Sequence, residues 1–257
     1  MMSSLVVKDL CKTYIVNKRQ NNVLRNVNLE IEEGEMVAVM GPSGSGKSTL
    51  LYAVSGMDRP TAGSVSFFGK DLTGLNASQM SDVRLNEMGF IFQQMYMLKN
   101  LSIYDNIILP AYQSKNGKGK EKRAIINNRA KELMKNLNIS EIAENDGNEV
   151  SGGQLQRACI CRSLINQPKM VFADEPTGAL NQQNSKEVMK ELNRMNAEGT
   201  TVMLVTHDMK VAAKSDRVLY IEDGNIKGEI SFGKFEDPGT LREREKQISD
   251  WLMEMGF

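Results

Sequence analysis

Nine residues, Gly41-Pro42-Ser43-Gly44-Ser45-Gly46-Lys47-Ser48-Thr49, combine the types and the spacing that hold a chain of phosphates. They fit the pattern G-x-x-x-x-G-K-[ST]. The apolar run Met36 to Met40 precedes them and Leu50-Leu51-Tyr52-Ala53-Val54 comes after, so a predicted strand turns through glycines into a helix. Glycines let successive amide N–H groups point inward, and the new helix adds its unpaired N–H groups and the positive end of its dipole. The motif aims Lys47 at the β- and γ-phosphates and puts the Ser48 hydroxyl on Mg²⁺. A turn that was merely rich in small residues would need no lysine at that step.

Other runs end on residues suited to the same site. Lys169-Met170-Val171-Phe172-Ala173 leads into Asp174-Glu175, and Thr201-Val202-Met203-Leu204-Val205 leads into Thr206-His207-Asp208. An aspartate at the end of a strand fits a partner of Mg²⁺, and the adjacent glutamate fits the polarising of a water for attack on the γ-phosphorus. His207 is the only histidine, and its place beside the inferred γ-phosphate favours function over packing. Met88-Gly89-Phe90-Ile91-Phe92 reads as a strand ending on Gln93-Gln94, where a glutamine can ligate Mg²⁺ or hold a water; alone, most such pairs are simply solvated. Ser151-Gly152-Gly153-Gln154 opens the helical run Leu155 to Leu164. Serine caps a helix and the two glycines expose N–H groups, so a second anion site is expected in the same chain.

The elements that must position these residues can be read from periodicity. Leu5-Val6-Val7, Val27 to Ile31 and Met36 to Met40, separated by turn residues, suggest an antiparallel edge leading into the phosphate-loop strand. Tyr14 lies in that edge, and by pattern alone is a half-buried strand tyrosine. Ser64 to Gly69 reads as a short strand and Ala77 to Asn86 as a polar helix. From about Met95 to Pro168 the period becomes helical, with Ile103, Ile107 and Ile108 on one face and Ala130, Leu133, Met134 and Leu137 on another. Between them the basic run Lys115 to Arg123, short and without aromatics, reads as a solvated connection and not a headgroup or nucleic-acid contact. The near-continuous apolar runs at 169–173 and 201–205 are those of parallel strands covered on both faces. With the stripe Val188, Leu192, Met195 between them they make a βαβ unit, which brings their carboxyl ends to one side. Leu241, Ile248, Trp251, Leu252 and Met255 mark an amphipathic end helix docked on its own domain.

Lys+Arg and Asp+Glu both number 32 in 257 residues, so no net field draws nucleic acid or an anionic membrane to the whole chain. No run approaches the roughly 20 apolar residues of a spanning helix, and the N-terminus lacks a signal-peptide pattern. These features imply a soluble, cytoplasmic protein. Of the three cysteines, Cys159 and Cys161 stand two apart on a predicted helix and face different ways; with Cys11 they read as reduced thiols.

Taken together, and in this order along almost the whole chain, the motifs resemble those of the ATP-binding subunits of ABC transporters. In that resemblance Gly41 to Thr49 is similar to the Walker A loop and Met170 to Glu175 to the Walker B strand with its catalytic glutamate. Gln93 falls at the Q-loop, Val150-Ser151-Gly152-Gly153-Gln154 matches the signature sequence, His207 the switch histidine, and Tyr14 the aromatic that stacks on adenine. The resemblance implies ATP and Mg²⁺ as cofactors. It implies Glu175, His207, Gln93 and Lys47 as catalytic, and Ser48, Gln93 and Asp174 at the metal. It also implies a head-to-tail homodimer in which Ser151, Gly152, Gly153 and Gln154 of one subunit close over the ATP held by the other, and an integral-membrane permease as partner on the inner face of the cell membrane. The segments 41–47, 90–94 and 173–180 look most like the macrolide-exporter and lipoprotein-release branch, which includes the bacitracin-type antimicrobial-peptide resistance transporters.

Two positions depart from the family pattern: Val150 stands for the usual leucine, and Asn181 for the usual aspartate after Gly178-Ala179-Leu180. Asparagine keeps an acceptor and loses the charge, which bears on cross-subunit coupling. The fold expected is α/β, a P-loop (RecA-like) parallel-sheet core with an antiparallel β edge and an inserted helical subdomain. Residues 1–94 and 168–232 would form the core, 95–167 the helical subdomain and 233–257 the C-terminal helix. The expected function is an ATPase subunit powering export, release or detoxification of an amphiphile such as an antimicrobial peptide, macrolide or lipoprotein. The alternative is a regulatory ATPase that controls cell-wall hydrolysis through a permease-like partner. Ribosome- or nucleic-acid-directed relatives usually carry two ATP-binding halves or long coiled-coil insertions, and neither is present.

Overall fold

The computed structural model describes residues 3–114, 119–178 and 180–256. Lys115 to Lys118 of the basic run, and Ala179 in the segment after Glu175, lie outside the described residues. The chain opens with a long hairpin, β1 (Ser3–Val16) and β2 (Arg19–Glu32), followed by β3 (Met36–Met40) and α1 (Lys47–Val54). Next come β4 (Ala62–Phe67), β5 (Lys70–Asp71), α2 (Ala77–Glu87) and β6 (Met88–Ile91). Helices α3 (Ile103–Gln113), α4 (Lys120–Asn136) and α5 (Gly152–Leu164) precede β7 (Met170–Asp174), α6 (Gln182–Ala197) and β8 (Thr201–Val205). The chain ends with α7 (Met209–Ala212), β9 (Arg217–Glu222), β10 (Asn225–Ser231) and α8 (Leu241–Glu254). The expected α/β class is the one observed.

One sheet has the order β10-β9-β3-β8-β7-β6 and is parallel except for the β9-β10 hairpin; the other, β2-β1-β4-β5, is antiparallel. The runs Leu5–Val7 and Val27–Ile31 each fall within a much longer strand, β1 and β2 having 14 residues each, while Met36 to Met40 is β3 as expected. The pairing slips between Val7 and Leu10 and between Leu10 and Lys12, with Asp9 (φ 49°) and Asn26 (φ 51°) in the left-handed region. Bulges of this kind break the alternation that period-two reading depends on.

All five residues of β3, β7 and β8 are buried, because each strand is covered on both faces. On one side Val37, Val39, Phe172, Met203 and Val205 pack with Leu50, Leu51 and Val54 of α1 and with Leu5, Ile31 and Phe67 of the antiparallel sheet. On the other, Ala38, Val171, Ala173 and Leu204 pack with Val188 and Leu192 of α6 and with the faces of α3, α4 and α5. Ile248 and Leu252 of α8 are buried in this second cluster, and the Trp251 ring stands edge-on to Tyr220 at 6.3 Å. Arg244 adds hydrogen bonds to the carbonyls of Ser215, Phe232, Gly233 and Lys234, so α8 packs on its own chain. No described helix is long and apolar enough to cross a membrane. Cys159 and Cys161 are buried free thiols.

Candidate functional site

Because β3, β6, β7 and β8 run parallel, the residues just after each of them emerge at one edge of the sheet. After β3 the chain turns through Gly41 (φ 151°), Gly44 (φ 80°) and Gly46 (φ 103°). A side chain at Gly41 would put its Cβ 2.0 Å from the carbonyl oxygen of Ile221, so β9 itself forbids anything but glycine. Gly46 caps α1 without any side-chain hydrogen bond. Among the described residues the amides of Gly46, Lys47, Ser48 and Thr49 find no acceptor, which leaves a nest of N–H groups at the positive end of a helix. The buried Ser45 hydroxyl also lacks a partner. Lys47 folds back, and its Nζ donates to the carbonyls of Gly41 (2.9 Å) and Pro42 (2.8 Å). Burial pulls its pKa below the usual lysine value, with Glu175 and Asp174 acting in opposition. Pro42 is half-buried, whereas Ser43 and Gly44 at the tip of the loop are exposed.

Beside this cradle the Ser48 hydroxyl donates to Asp174 Oδ1 at 2.9 Å. The two donors are oxygens, as a hard cation such as Mg²⁺ requires. Mg²⁺ takes about six oxygens and is commonly held by one or two protein oxygens together with phosphate oxygens and water. The residues present therefore fit a nucleotide with its Mg²⁺.

Glu175 comes directly after β7 with φ 48°, a left-handed conformation held by its amide donating to the Val205 carbonyl at 3.0 Å. That turn aims its carboxylate at His207, whose Nδ1 lies 2.9 Å from Oε1. A carboxylate can only accept, so Nδ1 carries a proton in this contact, and Nε2 is not engaged by it. The imidazole is 72 % exposed and the carboxylate 13 %. The pair borders a cleft of about 380 Å³ with Thr177, Gly178, Ser185 and Lys214. Gln93, two residues beyond the end of β6, is exposed and makes no hydrogen bond among the described residues.

Tyr14 lies on the hairpin, 36 % exposed, and donates from its hydroxyl to Asp58 Oδ2 at 2.6 Å. Lys12 Nζ stands over one face of the ring, 4.7 Å from its centroid, and pairs with Asp58 Oδ1 at 2.5 Å. Burial and the Asp58 carboxylate push the phenol up to about 12, a hydrogen bond with Thr49 working the other way.

The structure does not join Ser151-Gly152-Gly153-Gln154 to this edge by any described hydrogen bond. Ser151 Oγ accepts from the Gln154 amide (3.3 Å) and the Gln154 side chain accepts from the Ser151 amide (3.0 Å), a capping box that opens α5. The backbone of Gly153 lies against Asn184 and Leu180, where a Cβ would meet Asn184 Nδ2 at 3.1 Å. Asn181 caps α6, its Oδ1 accepting from the Asn184 amide at 2.9 Å.

Sequence reasoning passed over three groups here. Tyr52 donates to Asp174 Oδ2 at 2.7 Å. It stands four residues after Ser48 on α1, and that i, i+4 spacing was the signal that could have found it. Gln156, 1 % exposed, donates to the Pro176 carbonyl at 2.5 Å, and Arg157 reaches Asn184 and Glu187 on α6. No local pattern marks those two, since their partners are 20 to 30 residues away.

Comparison with known proteins agrees with this geometry. Residues 24–178 match the family described as "ABC transporter". The chain is 40% identical over 215 residues to an uncharacterized ABC transporter ATP-binding protein, YknY of Bacillus subtilis, covering 84% of this chain and 91% of that one. It is 38% identical over 247 residues to the macrolide export ATP-binding/permease protein MacB of Bdellovibrio bacteriovorus, covering 95% of this chain but 37% of MacB. Relative to that protein, the chain spans little more than a third of the length. Among solved structures, the dimeric bacterial ABC transporter cassette MJ0796 superposes with a TM-score of 0.84 at 37% identity, over 90% of this chain and 100% of that one. A post-hydrolysis form of the same cassette, bound to ADP and Pi, superposes equally well at 36% identity. The phosphate cradle, the carboxylates beside it and these likenesses agree, and the chain belongs to the ABC transporter family as one of its ATP-hydrolysing cassettes.

Proposed function

We propose that this cassette binds and hydrolyses ATP with Mg²⁺ to drive a membrane permease in export, with an amphiphile as cargo. The observation that carries the reading is the convergence of an N–H nest, a Ser48–Asp174 pair and a Glu175–His207 pair on one sheet edge. Gly41 to Thr49 would wrap the phosphates, with Lys47 leaving its two carbonyls for the β- and γ-oxygens. The face of Tyr14 opposite Lys12 would receive adenine. Ser48, Asp174 and Gln93 would hold the cation, which when bound would draw charge from the phosphate oxygens. Glu175 would orient and deprotonate the attacking water, and His207 would hold that carboxylate and offer Nε2 toward the γ-phosphate.

The arrangement of α5 supports a head-to-tail dimer. The capping box takes up the Ser151 and Gln154 amides and leaves those of Gly152 and Gly153 without an acceptor among the described residues, and the ATP bound by a second copy would supply the anion. Residues 1–94 and 168–232 would act as the ATPase core and 95–167 as the helical subdomain. Between them a groove of about 310 Å³, lined by Arg84, Phe90, Phe92, Pro110 and Arg162, would seat a cytoplasmic helix of the permease, with Met95 to Leu98 at its rim. The names of the MacB relatives, which join an ATP-binding part to a permease, support export and a membrane partner.

The test is Glu175→Gln in the purified chain. The amide keeps the shape and can still pair with His207 but cannot take a proton. Turnover should fall by roughly 10² to 10⁴, while an ATP-dependent dimer accumulates in gel filtration. Turnover equal to the native chain's, with no dimer under any nucleotide condition, would refute the proposal.

A further inference from the structure

Asp174 is held at both ends from one helix face. Ser48 Oγ donates to Oδ1 at 2.9 Å and Tyr52 OH to Oδ2 at 2.7 Å, the two donors being one turn apart on α1. A carboxylate turns in a broad, roughly two-fold well about its last torsion. One hydrogen bond therefore leaves its plane free to swing, and two fix it. The Tyr52 ring is fixed in turn by aromatic neighbours. It lies 6.2 Å from the Phe92 ring, Phe92 stacks on Phe90 at 5.8 Å, and Phe90 stacks on Phe172 at 5.8 Å. Phe172 is two residues before Asp174 on β7, so the contacts close into a circuit that begins and ends on that strand. Phe92 precedes Gln93 directly, and on its far side it meets the edge of Tyr96 at 5.9 Å, a residue 61 % exposed.

We infer that Tyr52 is a positioning residue for the Mg²⁺-holding carboxylate of Asp174, and that it couples this carboxylate through Phe92 to the segment from Gln93 to Tyr96. The inference rests on the reading of Ser48 and Asp174 as the metal's protein ligands. When the Gln93 segment shifts, the Phe92 ring moves, the wall that holds Tyr52 moves with it, and Oδ2 loses its fixed donor. Metal affinity then depends on the conformation of a surface segment that is far from Asp174 in sequence.

Mn²⁺ binding, followed by electron paramagnetic resonance in the presence of a non-hydrolysable ATP analogue, reads this without turnover. Tyr52→Phe keeps the ring and removes one hydrogen bond to a charged group, so half-saturation should need about tenfold more Mn²⁺. Binding of the analogue in EDTA should stay as in the native chain. Phe92→Leu keeps the hydroxyl and loosens its wall, and should raise the Mn²⁺ requirement by roughly threefold. Native Mn²⁺ affinity in Tyr52→Phe would overturn the inference, and so would an equal loss of analogue binding in EDTA, which would make Tyr52 a packing residue only. A native chain that binds the analogue but no Mn²⁺ would instead overturn the metal-site reading, and this inference with it.

Discussion

Replacing Arg157 by methionine should weaken the whole domain through one buried link between α5 and α6. The guanidinium donates to Asn184 Oδ1 at 2.8 Å and to Glu187 Oε2 at 3.1 Å, with side-chain exposures of 10 % for Arg157 and 21 % for Glu187. Methionine fills the space of the aliphatic stem, so packing is largely kept. Two hydrogen bonds from a charged donor contribute about 1.5–3 kcal/mol each. Against that loss stand two reliefs. Glu187 regains water, and the Arg157 Nε proton, buried without a partner, disappears together with its cost of about 1–3 kcal/mol. The net is about 2 kcal/mol of destabilisation. In a domain of this size that lowers the melting temperature by about 4–8 °C. Urea unfolding without nucleotide measures it as a lower midpoint at unchanged slope, and Glu187→Gln in the same background should show coupling of about 1 kcal/mol. A variant within about 0.5 kcal/mol of the native chain, the size of an ordinary surface change, would refute the reasoning, as would strict additivity with Glu187→Gln.

Asn181→Asp should leave folding unchanged and alter turnover only modestly, because aspartate accepts from the Asn184 amide as asparagine does; Asn181→Ala should lose about 1 kcal/mol in the same urea assay through the missing cap. A complete loss of ATPase activity in the aspartate variant would count against this. Thiol titration should find one reactive cysteine, Cys11, in the folded chain, and all three in denaturant. Burial raises the pKa of both Cys159 and Cys161 and denies reagent access, whereas Cys11 is partly exposed; rapid modification of Cys161 in the folded state would contradict it.

Much of the fold was legible because its grammar is local. A five-residue apolar run, a glycine turn and a helix are contiguous, and the βαβ rule then decides on which side Asp174, Glu175 and His207 emerge. The features that stayed hidden depend on distance or on broken periodicity. The strands β1 and β2 outrun the short apolar runs Leu5–Val7 and Val27–Ile31 because bulges at Asp9 and Asn26 interrupt the alternation. The strand leading to Gln93 stops at Ile91, two residues short of the glutamine, and Phe92 lies beyond it with its ring stacked on Phe90. Tyr52 reads as one more apolar residue of α1 because its hydroxyl matters only once β7 is beside it. Lys47 is assigned to phosphate by the motif; its bonds to the carbonyls of Gly41 and Pro42 depend on how the loop curls, which no sequence pattern reports.

The outer strands of the two sheets bear on how the protein behaves in concentrated solution; β2 already spends part of its margin on this chain, its Arg25 amide donating to the Gly224 carbonyl at 3.0 Å. An unpaired strand edge invites another chain to add to it, the first step toward fibrous or amorphous aggregates. Here β6 offers four residues and β5 two, too few for stable addition. The long outer strand β2 begins with the exposed, wholly polar Arg19-Gln20-Asn21-Asn22 and ends among Glu30 and Glu32, while β10 turns Lys227 and Glu229 to solvent. Each margin is thus either short or hydrophilic. Self-association through strand addition is disfavoured, and copies of this chain can meet at other faces without precipitating along their edges.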